Sequence, residues 1–63
     1  MDELNKTKAN ALFQELMVKM RELQQHLLVH GVTDESWMAS RKLTDRLNLL
    51  DEMERDIENI PVV

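Results

Sequence analysis

Apolar residues recur at alternating steps of four and three through the first arm of this chain: Ala9, Phe13, Leu16, Met20, Leu23 and Leu27, with His30 in the next place. That spacing is a heptad seam on an α-helix, with Phe13, Met20 and Leu27 in one column and Ala9, Leu16 and Leu23 in the other. Leu12 and Met17 flank the seam and widen it to the kind of face that a helix bundle buries. A strand is excluded, because Leu27, Leu28 and Val29 are consecutive, as are the polar Gln24, Gln25 and His26.

The single glycine, Gly31, follows the seam. Helix 1, expected over about residues 7–30, should stop there, with the glycine in the left-handed conformation and Val32 folded back on Leu27 in a Schellman cap. Asp2, Asn5 and Thr7 are alternative caps for its start. After a turn at 31–33, Thr33 is the expected N-cap of helix 2, with Asp34 and Glu35 suited to the positive end of the helix dipole. Val32 and Trp37 have the spacing of a hydrophobic staple. Helix 2, about 34–60, carries Leu43, Leu47, Leu50, Met53, Ile57 and Ile60, and Pro61 ends it because its ring cannot continue the hydrogen-bond ladder. The fold class is therefore all-α: one antiparallel two-helix hairpin forming a single domain, since so short a connection makes the helices neighbours.

Size then argues for association. A chain of 63 residues forms a marginal core alone, and the usual supports are disulfides, a metal or self-association. Cysteine is absent. A lone helix pair leaves such wide apolar faces in water, so two hairpins are expected to dock as a four-helix bundle. The expected interface is Phe13, Leu16, Met20, Leu23 and Leu27 from helix 1 with Leu43, Leu47, Leu50 and Ile57 from helix 2.

Charge narrows the partners. Residues 31–63 hold four basic and eight acidic residues, and residues 1–30 hold four of each, so the whole excess of −4 is on the second arm. A net-acidic hairpin lacks the clustered Lys and Arg that phosphate backbones require, so nucleic acid is not the expected ligand. The acidic run Asp51–Glu58 reads as a solvated helix face. Glu15–Lys19, Arg41–Asp45 and Asp51–Arg55 have the i,i+4 spacing of helix-supporting ion pairs. No apolar run approaches the ~20 residues that span a bilayer, and the start, MDELNKTKAN, lacks a signal peptide's apolar core. The expectation is a cytoplasmic protein.

Candidate chemistry is sparse. Glu22, His26 and His30 share a helix stripe, but HLLVH is not the HExxH of zinc proteases, and the expected roles are an exposed His26 and a His30 at the helix end. No metal or cofactor is expected. No nucleophile has a base beside it, and no glycine-rich loop could cradle a phosphate. Met17, Met20, Met38 and Met53 suit either a core or an adaptable groove. Trp37, the one tryptophan, is either a staple partner or an interface anchor.

The stretch MRELQQHLLVHGVTDESWMASRKLTDRLNLL covers about half the chain. With its leucine-rich first helix, glycine turn and short acidic approach, it resembles the small sporulation-regulatory aspartyl-phosphate phosphatases. The resemblance implies a helical hairpin that acts on phosphorylated response regulators. The family's second-helix motif is Ser-Gln-Glu-Leu-Asp, and here the region reads Ser40-Arg41-Lys42-Leu43-Thr44-Asp45. Ser40 and Leu43 match, Thr44 takes the acidic position, and Asp45 follows one residue late, turned about 100° around the helix. Ser40, Arg41, Thr44 and Asp45, with Trp37, are thus candidate partner-binding residues. The expected function is a non-enzymatic regulatory protein that pairs with itself and binds a protein partner. A phosphatase acting on a response regulator, or an inactive relative of one, and a structural assembly unit are the alternatives.

Overall fold

The computed structural model describes residues 1–63, and the chain is all-helical: α1 spans Glu3–His30 and α2 spans Asp34–Glu58, packed against each other. Helix 1 begins about a turn before residue 7. Asp2 is its cap, accepting the Asn5 backbone N–H at 2.7 Å through Oδ1, while Oδ2 takes the Asn5 side-chain amide at 3.0 Å. These bonds satisfy donors that a helix start leaves free.

The turn departs from the expected Schellman cap. Gly31 has φ −75° and ψ 128°, ordinary extended backbone, and its N–H donates to the Leu27 carbonyl at 2.8 Å. Glycine is needed for space instead of handedness. A Cβ here would collide with the Leu27 carbonyl oxygen and the Ser36 hydroxyl, and would stand 2.6 Å from Ser36 Cβ. Val32 consequently points away from both helices and is 95% exposed, so neither its contact with Leu27 nor its staple with Trp37 forms. The cap on α2 is a reciprocal box. The Ser36 N–H donates to Thr33 Oγ1, and the Thr33 N–H donates to Ser36 Oγ, both at 3.2 Å.

At the far end α2 stops at Glu58, with Asn59 as its cap, two residues short of the expected 60. Ile60 precedes Pro61, and that position is sterically turned away from helical backbone. The exposed carbonyls are collected by Lys6, whose ammonium donates to Glu58 O at 2.6 Å and Ile60 O at 2.9 Å. A cation at a helix C-terminus also complements the dipole. Both ends of the hairpin are therefore tied, one by the capping box and the other by Lys6.

Candidate functional site

The column of α1 turned toward α2 is Asn10, Phe13, Met17, Met20, Gln24 and Leu27. It keeps the four-three rhythm but uses a different second column from the expected one. Asn10, Met17 and Gln24 stand where Ala9, Leu16 and Leu23 were expected. Met17 is 3% exposed and Phe13 5%, whereas Leu16 and Leu23 remain about half exposed. On α2 the facing column is Ser40, Leu43, Leu47, Leu50, Glu54 and Ile57. Of these only Ser40 is fully buried, at 3% exposure, and the four apolar residues are half-buried, as are Met20 and Leu27.

The two flanks of this contact differ. Residues that follow the inward column in sequence lie on one side of it, and residues that precede it lie on the other, because each step turns about 100°. Antiparallel helices are related by a two-fold axis normal to their common plane. The following residues of both helices therefore share one face of the hairpin, and the preceding residues share the opposite face. The following face is bridged by polar bonds. Gln14 donates to Glu54 Oε1 at 3.3 Å, and Gln24 donates to the Ser40 carbonyl at 3.1 Å and to Thr44 Oγ1 at 2.5 Å. No such bond crosses the preceding face. There Leu12, Leu16 and Leu23 of α1 lie beside Leu49 and Met53 of α2, all of them about half exposed.

The hairpin is long and thin. The Cα extents are 49 × 16 × 10 Å, a single sheet of helices, and the radius of gyration is 14.9 Å. A compact chain of this length would have about 10–11 Å. The accessible surface is 5153 Å², against about 4200 Å² expected for a compact monomer of this mass. The excess, about 950 Å², comes with so thin a shape.

The candidate partner-binding residues do not form one surface. Trp37, Arg41 and Asp45 line a depression on the outer side of α2 with Met38 and Lys42, and the Arg41 guanidinium lies 5.0 Å from the Trp37 ring centre. Ser40 is buried between the helices, and the Thr44 hydroxyl is occupied by Gln24. Arg41 thus stacks on Trp37 instead of pairing with Asp45. The other expected i,i+4 pairs are also open, and the ion pair that forms is Lys19–Glu22 at 3.2 Å. His26 and His30 rest together, ring centres 4.7 Å apart, over an outer hollow with Glu22, but the three do not converge as a ligand set. No helix is long and apolar enough to cross a membrane.

Lys6 and Gln24 were not among the expected site residues. Lys6 is one heptad before Phe13, so its place in the inward column was readable from spacing. Gln24 shows no such signal, because a glutamine in a polar run reads as solvent-facing. Family models, curated proteins and solved structures give no match to the chain.

Proposed function

We propose that this protein is an interaction module whose open apolar face pairs two copies into a four-helix bundle, leaving the Trp37 patch outward for a protein partner. The observation that carries the pairing is the asymmetry of the two faces: one is bridged by Gln14 and Gln24, the other carries Leu12, Leu16, Leu23, Leu49 and Met53 with no cover. Covering apolar area of this kind is worth roughly 25 cal/mol per Å² before the costs of association. An exposed indole stacked under a guanidinium is the type of pair that anchors protein interfaces. Its place on the outer side of α2 keeps it clear of the paired face.

The test uses two residues of matched exposure on one helix. Leu16 is 47% exposed on the open face, and Val18 is 49% exposed on the bridged one. In sedimentation equilibrium, Leu16→Glu is expected to raise the dimer dissociation constant at least about a hundredfold, since it buries charge in an apolar contact twice per dimer. Val18→Glu is expected to leave it within about threefold, because exposed substitutions away from contacts change little. Equal effects of the two substitutions would refute the assignment of the paired face.

A further inference from the structure

His26 and His30 stand one turn apart on α1 and have no part in the contact between the helices. Both are exposed, and neither ring makes a hydrogen bond to the rest of the chain. Spacing alone says only that they share a stripe. The fold adds their mutual geometry: the ring centres are 4.7 Å apart and the planes are inclined at 46°, so the rings are not stacked in parallel. Both line one open hollow, with Glu22, Gln25 and Val29. HLLVH lacks the protease pattern, but chelation needs only the two rings.

An imidazole nitrogen binds a transition-metal ion at about 2.0–2.1 Å, which puts its ring centre about 3.2 Å from the ion. Two such rings are then about 4.5 Å apart at a right angle and about 5.2 Å apart at the tetrahedral angle. The observed 4.7 Å is nearer the first. Right-angled positions belong to tetragonal copper(II) and to nickel(II), whereas zinc(II) takes tetrahedral sites. Copper(II) also heads the affinity order for such donors. The surroundings suit a cation. The pair occupies the last turn of α1, which ends at His30, and a helix C-terminus carries partial negative charge. Glu22 adds a carboxylate to the hollow, but its Oε2 accepts from the Lys19 ammonium at 3.2 Å, so the ligands number two. We infer that His26 and His30 chelate one divalent transition-metal ion per chain, copper(II) ahead of nickel(II) and zinc(II), with water in the remaining positions. Those open positions would let a donor from another molecule complete the shell. The site is independent of the pairing proposed above, because one helix carries both ligands.

Calorimetric titration of the full chain with copper(II) in a non-chelating buffer is expected to give one site per chain. His26→Asn and His30→Asn should each weaken it at least about tenfold, because the second nitrogen of a chelate binds as an intramolecular event. Both positions are exposed, so the hairpin should keep its helicity in either variant. Gln25→His combined with His26→Gln keeps two histidines in the chain but turns one by about 100° around the helix. It should lose as much affinity as His26→Asn. Glu22→Gln should stay within about threefold, since that carboxylate is not a ligand. Pulsed EPR at one equivalent of copper(II) should show two imidazole nitrogens in the plane of the ion. One ring or none, or full affinity in either single histidine variant, would overturn the site and give bound copper to the amino terminus or the carboxylates. Full affinity in the exchanged variant would overturn the paired geometry. A loss of about tenfold or more on Glu22→Gln would overturn the two-ligand set. Zinc(II) binding as tightly as copper(II) would overturn the choice of ion.

Discussion

The smallest determinant is the absence of one carbon atom. Gly31 has the backbone angles of any extended residue, so a left-handed conformation does not explain it. What the position requires is room for Ser36 to close the capping box with Thr33. Gly31→Ala is therefore expected to cost about 1–3 kcal/mol, the usual range for forcing an extra carbon into a filled site. Ser36→Gly removes two of the three collisions, so the double variant should lose less than the two single losses added together. Urea denaturation of the three variants measures this coupling, and strict additivity would count against it. Lys6 shows the same economy at the other end of the hairpin, where one ammonium takes the Glu58 and Ile60 carbonyls.

At the scale of the helices, the outcome turned on which of two columns faces inward beside Phe13, Met20 and Leu27. Leu16 with Leu23 lies on one side of them, and Met17 among Asn10 and Gln24 on the other. Counting apolar residues selects the first. The fold selects the second for the intramolecular contact, where Gln24 has partners on α2 and Met17 fills the centre. The hairpin, its turn, the Thr33 cap and the stop near Pro61 were legible because each is a local signal of spacing or chemistry. The register was not, because a helix with apolar residues on two columns fits two partners, and a sequence does not say which comes from its own chain. The motif resemblance marks Ser40 as a partner-binding candidate, whereas it lies buried in the inward column. Alanine substitutions separate the columns at micromolar concentration. Met17→Ala should lower unfolding free energy by about 2 kcal/mol or more, as for other buried methionines. Leu28→Ala, on the bridged face, should stay within about 0.5 kcal/mol. Leu16→Ala, from a residue of similar exposure to Leu28, should cost about 1–2 kcal/mol under the proposed pairing, in which a partner would cover it. Equal costs for Leu16 and Leu28 would deny the open face a special role.

The whole molecule is a long, thin layer, 49 Å by 10 Å in its longest and shortest Cα dimensions. Such a layer buries no apolar side chain beyond Phe13 and Met17, which is the consequence of 63 residues arranged as two helices without a disulfide. Small domains reach stability through added covalent, metal or subunit contacts. Under the proposed pairing, the face carrying Leu12, Leu16 and Leu23 would supply the last of these. Association of that kind makes stability depend on concentration, because dilution favours the separated chains. The melting temperature should therefore rise with protein concentration across the micromolar range. The central claim is reached most directly by sedimentation equilibrium of the unmodified protein. A folded species of twice the 7.4 kDa chain mass at micromolar concentration is the predicted result. A fully helical species of 7.4 kDa, unchanged over a hundredfold range of concentration, would contradict it.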